Sequence, residues 1–376
     1  MNGGIGGYSS HDIVSKVLQR DETAVGRNVE TDEQLRKILE SRKAEIKVVG
    51  IGGAGGNTIS RLMEVGIVGA ETVAINTDAQ DLLYTDADRK VLIGKEITGG
   101  LGAGADPKVG MESAKESKEE IKKSLEGADM VFINCGLGGG TGTGASPMVA
   151  DIAKKLGALT VGIVTLPFTM EGHQRKKNAM EGLESMEGVV DTLIVIPNDK
   201  LLEIVPDVSV ITAFKVADEI LVNAVKGIAE LITKPGLVNL DFADIRAVMG
   251  SGGLAMIGMG ESDTENRAIE SVEKALNNPL LDVDIEDAVG ALINVSGGSD
   301  VTIRECQEIV ESVSGKINPD AKIIWGAQII KELGDTIRSM LIVTGVKSSQ
   351  IYGAEKTYIE TKTKEIEKIL GVDFVG

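Results

Sequence analysis

Gly50-Ile51-Gly52-Gly53-Ala54-Gly55-Gly56-Asn57 follows the apolar run 46–49, and Gly136-Leu137-Gly138-Gly139-Gly140-Thr141-Gly142-Thr143-Gly144 follows the apolar run 130–133. Each reads as the exit from a strand and the entrance to a helix. Glycine lets a backbone approach a ligand closely, and consecutive exposed N–H groups at a helix N-terminus make a site for phosphate. Two such loops in one α/β unit predict a polyphosphate held from two sides. The first loop alone also satisfies the dinucleotide-binding fingerprint, as Gly50-x-Gly52-x-x-Gly55. The second is more specific, because six glycines in nine residues cost too much chain entropy for an ordinary strand-to-helix turn. Neither loop ends in the Gly-Lys-Ser/Thr of a P-loop. Backbone amides, helix dipoles and a bound Mg²⁺ would have to meet the phosphate charge instead.

Outward from these loops, apolar runs at 46–49, 72–75, 130–133, 160–164 and 192–196 alternate with helical patterns. Such alternation implies parallel strands with crossover helices, with ligands gathered at the strands' carboxyl ends, where both glycine loops lie. A long helical pattern at 212–233 carries Phe214, Ile220, Leu221, Val225, Ile228, Leu231 and Ile232 on more than one face, as in a helix packed between two layers. Lys234, Pro235 and Gly236 end it. A second unit follows, with strands near 254–259, 288–295, 322–325 and 339–343 and helices near 264–276 and 304–313. The division expected is an N-terminal polar arm at 1–44, a nucleotide domain at 45–211, a central helix at 212–235, a smaller mixed-sheet domain at 236–346 and a charged tail at 347–376. In the arm, Thr31-Asp32-Glu33-Gln34 has capping-box spacing ahead of Leu35, Ile38 and Leu39.

The composition agrees. With 376 residues, 42% hydrophobic and 26% charged, the chain has enough apolar sequence for two cores. A net charge of −18 argues against a nucleic-acid partner and opposes self-association, so any polymer should depend on salt and Mg²⁺. Cys135 and Cys306 have neither metal nor redox spacing, which fits a reduced, cytoplasmic protein, and His11 and His173 alone do not make a zinc site. No run has the length of a membrane span, and no signal-peptide core is present at the N-terminus.

Gly138 to Gly144 resembles the signature loop of the tubulin and FtsZ superfamily. From about residue 46 to 346 the chain is similar to the FtsZ cell-division GTPases through Asn76-Thr77-Asp78-Ala79-Gln80, Gly100-Leu101-Gly102-Ala103-Gly104, Pro167-Phe168 with Glu171-Gly172, Ile196-Pro197-Asn198-Asp199-Lys200, and Asn239-Leu240-Asp241-Phe242-Ala243-Asp244. The resemblance implies the tubulin/FtsZ fold: a Rossmann-like parallel-sheet GTPase domain joined by a long central helix to a smaller α/β domain. It implies GTP or GDP as ligand, with Mg²⁺ held mainly by phosphates and water and no metal-binding side chains. Gly52, Gly53, Ala54, Gly55, Gly56 and Asn57, Gly102, Ala103 and Gly104, and Gly138, Gly139, Gly140, Thr141, Gly142, Thr143 and Gly144 would surround the phosphates. Glu171 would hold the ribose hydroxyls and Arg175 would reach ribose or phosphate. By spacing alone, that pair also reads as a solvated helix ion pair. Phe214 would stack on the purine while Asp218, four residues on, accepts from two ring donors, with Asn57 and Asn198 nearby. Without the resemblance, Phe214 reads as a core aromatic and Asp218 as a solvated acid.

In the family, the acids matching Asp241 and Asp244 enter the neighbouring subunit's nucleotide site and polarise water, with Asn239 beside them. The active site then exists only at a head-to-tail contact, and such contacts build filaments. The plainer role for the two acids is capping the next helix, which is compatible with catalysis. The resemblance further implies a Z-ring at midcell and partners that tether it to the membrane. Two features depart from the usual pattern. Ala105-Asp106-Pro107 stands where Ala-Asn-Pro is common, and no long linker with a partner-binding peptide is recognisable after Val346. With the polar arm and 3% aromatic residues, these features look more archaeal than bacterial. Two alternatives remain: a tubulin relative concerned with shape rather than division, and an NAD-dependent oxidoreductase using the first loop with Asp78.

Overall fold

The computed structural model describes residues 44–204, 209–233, 241–250, 252–281 and 285–346. The expected arm and tail, and Asn239 with the loop 236–240, lie outside the described residues.

A single ten-stranded sheet runs through the described chain. Its strands are β1 (Ile46–Ile51), β2 (Ala70–Asn76), β3 (Arg89–Leu92), β4 (Met130–Gly136), β5 (Leu159–Leu166), β6 (Thr192–Pro197), β7 (Gly253–Ser262), β8 (Gly290–Gly297), β9 (Lys322–Ile329) and β10 (Ile337–Thr344). They lie in the order β3-β2-β1-β4-β5-β6-β7-β10-β8-β9. The first six are parallel, as the alternation predicts, with Ile51 paired to both Ile75 and Cys135. The four strands expected of the second unit are present and continue the same sheet. β7 runs parallel to β6 through the pairs Thr192↔Gly253, Leu193↔Leu254 and Ile194↔Ala255, while β10 lies antiparallel between β7 and β8. The strands extend past the apolar runs that announced them, because backbone pairing continues into residues such as Gly136 and Pro197 that carry no apolar signal.

Both faces of the sheet are covered, so its strands read as continuous apolar runs. On β1 and β4 the two faces are filled alternately. Ile46, Val48, Met130 and Phe132 join the cluster around Leu221, Val225 and Ile228 of the central helix Val210–Thr233. Val49, Ile51, Val131 and Ile133 join the opposite cluster with Ala145, Val149 and Leu183. The central helix is apolar over a broad arc because it packs against the sheet and against helix Gly52–Val65, to which Arg61 also ties it through Glu219 at 3.1 Å.

Between β2 and β4 the structure adds strand β3 and helices Ala79–Tyr84, Lys95–Thr98, Pro107–Glu116 and Lys118–Leu125, none anticipated from the sequence. These are short, and two of them begin at side-chain caps. Asp78 accepts from the amides of Gln80 and Asp81, and Asp106 from that of Lys108.

Candidate guanine-nucleotide site

The carboxyl ends of β1 and β4 each turn into a long helix whose N-terminus has no side-chain cap: Gly52–Val65 after Ile51, and Thr141–Lys155 after Gly140. No side-chain oxygen closes either start, so both leave their first N–H groups for another acceptor. The two starts touch. Gly52 has φ +71°, and a methyl group there would lie 3.1 Å from the Gly142 nitrogen, so glycine serves both the turn and the contact. Thr141 shares a 2.7 Å hydroxyl–hydroxyl hydrogen bond with buried Thr77.

A cleft of about 310 Å³ opens over these starts, of a size for a small ligand. Among the expected residues, Gly52, Gly53, Ala54, Gly104, Gly139, Gly140, Thr141, Gly142, Glu171, Arg175, Asn198, Phe214 and Asp218 line it. Gly55, Gly56, Asn57, Gly102, Ala103, Gly138, Thr143 and Gly144 do not, and for several the reason is visible. The Gly138 amide donates to Thr143 Oγ1, the Gly102 amide to the Thr77 carbonyl and the Gly144 amide to the Gly140 carbonyl, so these donors are already used inside the protein. Gly144 is a glycine because helix Thr141–Lys155 crosses helix Pro107–Glu116 there, against the Pro107 carbonyl. At Gly55, a methyl group would lie 2.6 Å from the Asn134 oxygen of β4.

At the other end of the cleft, Pro167 ends β5 and the chain makes a short turn, Thr169–Glu171. Glu171 Oε1 accepts from the Phe168 amide at 2.9 Å, and Glu171 Oε2 from Arg175 Nη1 at 2.7 Å. The two residues form the i, i+4 ion pair that their spacing suggests, and they also line the cleft. Phe168 is buried and meets Phe214 edge-on, with ring centroids 5.1 Å apart and planes at 89°. Phe214 is 42% exposed, so it is not a core aromatic, and its open face is free to stack.

Two polar groups in this half of the cleft lack partners among the described residues. Asn198 is 5% exposed and its Oδ1 has no hydrogen-bond donor, a deficit of about 1–3 kcal/mol that a ligand N–H would remove. Asp218 makes no hydrogen bond or ion pair, and burial pushes its carboxyl up to about 6. An unsatisfied amide oxygen, an unpaired carboxylate and an aromatic face converge at one end, and uncapped helix starts at the other. That donor and acceptor set fits a purine base with an N–H edge, carrying a phosphate chain. Thr165, at the carboxyl end of β5, also lines the cleft and was missed; its position at a strand end was the available signal.

Three acids turn to their own helices. Asp106, which substitutes for the usual Asn, is a helix cap. Asp78 is likewise committed to capping, which removes the ribose-binding acid an NAD-dependent oxidoreductase would need. Asp241 caps helix Phe242–Met249 through the Ala243 amide at 2.7 Å, and Asp244 is exposed in its first turn. That helix lies at the amino ends of the parallel strands. Arg246 reaches the carbonyls of Asp129, which precedes β4, and Gly157, which precedes β5. The seven residues of β4 separate it from the glycine loops by about 20 Å, so its acids are remote from the cleft of their own chain.

The family model for the GTPase domain of the tubulin/FtsZ family matches residues 45–206, and that for the C-terminal domain of the FtsZ family matches residues 253–347. The chain is 63% identical to cell division protein FtsZ 1 of Pyrococcus furiosus over 330 residues, 88% of each chain. It is 56% identical to cell division protein FtsZ of Methanothermobacter thermautotrophicus over 364 residues, 96% of each. Among solved structures it is similar to an empty FtsZ dimer from M. jannaschii, with TM-score 0.81 and 61% identity over 85% of this chain and 93% of that one. A GTPγS-bound protofilament of CetZ2 from Haloferax volcanii shares the fold alone, with TM-score 0.72 at 21% identity over 85% of this chain and 100% of that one. The two domain models cover most of the sequence and these FtsZ relatives are more than half identical to it, so the chain belongs to the FtsZ family of tubulin-like GTPases.

Proposed function

We propose that this chain binds GTP in the cleft, assembles head to tail, and hydrolyses GTP at the contact between subunits as part of a cell-division ring. The observation that carries this reading is the opposition of the two ends: nucleotide cleft at the carboxyl ends of the parallel strands, Asp241 and Asp244 at the amino ends. A like-oriented neighbour stacked on the cleft brings its acids to the terminal phosphate, and the same contact repeated is a filament.

The amides at the starts of helices Gly52–Val65 and Thr141–Lys155 hold the phosphates, with the Thr141 hydroxyl beside them. Glu171 accepts from ribose hydroxyls and Arg175 donates. Phe214 covers the purine face, Asp218 accepts from the two ring donors that guanine presents and adenine lacks, and Asn198 Oδ1 takes a further base N–H. The neighbour's Asp241 and Asp244 orient and polarise the attacking water, with Asn239 beside them. Mg²⁺ supplies charge neutralisation along the phosphates. Phosphate and water would be its main ligands. The central helix divides the nucleotide domain from the smaller domain, as the separate extents of the two family models support. Membrane attachment would come through partner proteins, since no described helix is long and apolar enough to cross a membrane, and the site of action would be the cytoplasm at midcell.

Phosphate release from GTP with Mg²⁺, followed across protein concentrations with ATP as control, tests the reading. Specific activity should rise above a threshold concentration with GTP alone. Activity independent of concentration would place the catalyst within one chain and overturn the shared site.

A further inference from the structure

Asn178 lies in helix His173–Glu187, one turn beyond Arg175, and is 5% exposed. Its Nδ2 donates to the Ala105 carbonyl at 3.0 Å and to the Gly138 carbonyl at 3.4 Å, while its Oδ1 accepts from Gln174 Nε2 at 2.9 Å. Backbone carbonyls only accept, so the amide nitrogen must face them and the orientation is fixed by chemistry. One buried side chain therefore bridges the segment 102–106 and the second glycine loop, two pieces of backbone that no strand pairing joins.

The two pieces are also pressed together. A methyl group at Gly140 would lie 2.6 Å from the Gly104 carbonyl oxygen and 2.9 Å from the Ala103 Cβ. Gly104 and Gly140 both line the cleft, in its phosphate half. On the nucleotide reading, with the base at the Phe214 end and the first phosphates on the paired helix starts, Gly104 is assigned to the outermost phosphate. Beyond Asn178, segment 102–106 is held from the other side by the Gly102 amide on the Thr77 carbonyl, and it ends at the Asp106 cap.

We propose that Asn178 is a positioning residue that locks segment 102–106 against the second glycine loop and thereby sets the preference for a nucleoside triphosphate over a diphosphate. Asn178 touches neither base nor ribose. Its shorter bond, to Ala105, acts on the cleft through neighbouring Gly104, whereas its longer bond ends on Gly138, which does not line the cleft, so the effect falls chiefly on the phosphate that meets Gly104. The proposal rests on the guanine-nucleotide reading of the cleft.

The test is equilibrium titration of GTP and of GDP on the full chain, below the assembly threshold, for wild type, Asn178→Asp and Asn178→Ala. The isosteric Asn178→Asp turns an acceptor toward two carbonyls, and Asn178→Ala leaves them without a donor. Both should lose about tenfold in GTP affinity while GDP affinity stays within about twofold, as expected from one broken buried hydrogen-bond set. GDP-bound thermal unfolding should remain cooperative. Unchanged GTP affinity, or equal losses of GTP and GDP, would overturn the proposal and leave Asn178 a structural residue. A wild-type chain that binds neither nucleotide would overturn the underlying reading instead, and this proposal with it.

Discussion

Asp218 combines a proposed role in base recognition with a stability cost in the same carboxyl group. Burial raises its pKa to about 6, against an ordinary 3.8, and no cation or donor among the described residues offsets this. A raised carboxyl pKa means the folded state holds the proton more tightly than the unfolded one. Stability is therefore lost as pH climbs from about 4 through about 6 and is absent above. Asp218→Asn should raise the thermal midpoint of the ligand-free protein by a few degrees at pH 7.5 and leave it unchanged at pH 4, as read by calorimetry. The same substitution should weaken GTP by about 10- to 100-fold with little effect on ATP in a competition assay, because only guanine loses a paired acceptor. Wild-type GTP affinity should rise as pH increases through about 6, when the carboxylate forms. Asn198 belongs to the same logic, since its Oδ1 is left without a donor in the ligand-free chain.

Helix starts decide the site at the level of elements. In the nucleotide half the helices that follow Asp78 and Asp106 are closed by those acids, whereas the long helices that follow the glycine loops are open, as are the starts of Lys95–Thr98, Lys118–Leu125 and His173–Glu187. Helix Phe242–Met249 combines both roles, because Asp241 is its cap and also a candidate for water activation in the next subunit. The roles separate by substitution. Asp241→Asn keeps a capping oxygen and should retain stability while losing most GTP hydrolysis; Asp241→Ala should in addition cost about 1 kcal/mol in denaturant unfolding. Asp244→Ala, which removes no cap, should still bind GTP and sediment as polymer while phosphate release falls. Retained hydrolysis would remove Asp244 from the mechanism. Packing behind the second loop is equally constrained: Gly144→Ala drives a methyl group into the Pro107 carbonyl and should destabilise the fold by roughly 2 kcal/mol or more through overpacking.

For the whole molecule, the parallel half of the sheet has polarity, and that polarity is what would make the proposed head-to-tail contact productive. Strands β1 to β6 all run the same way; the carboxyl ends of β1, β4 and β5 reach the cleft, and the Asp241 helix bonds the residues that precede β4 and β5. A net charge of −18 works against that contact. Raising monovalent salt should therefore lower the concentration at which GTP turnover begins, as followed by light scattering and phosphate release, until screening also weakens nucleotide binding. A threshold that rises steadily from the lowest salt would show that attractive charge pairs dominate the interface.

The sequence by itself determined the phosphate loops, the parallel half of the sheet and the long central helix, because glycine runs, continuous apolar strands and a broad helical stripe are local consequences of backbone sterics and burial. It also placed Phe214, Asp218, Asn198, Glu171 and Arg175, through motif resemblance rather than through spacing. Tertiary structure alone decided the rest. The continuity of β6 with β7 rests on three residue pairs about sixty positions apart, which no local pattern encodes. The short helices between β2 and β4 exist because capping acids and packing on the sheet outweigh weak propensity. Whether a loop glycine faces ligand or a neighbouring helix depends on where its amide is spent: Gly138, Gly144 and Gly102 give theirs to the protein, while Gly52 and Gly142 meet across the cleft floor. Asn178 was invisible for the same reason, since its partners Ala105 and Gly138 lie 73 and 40 residues away and only folding brings their carbonyls to one side chain.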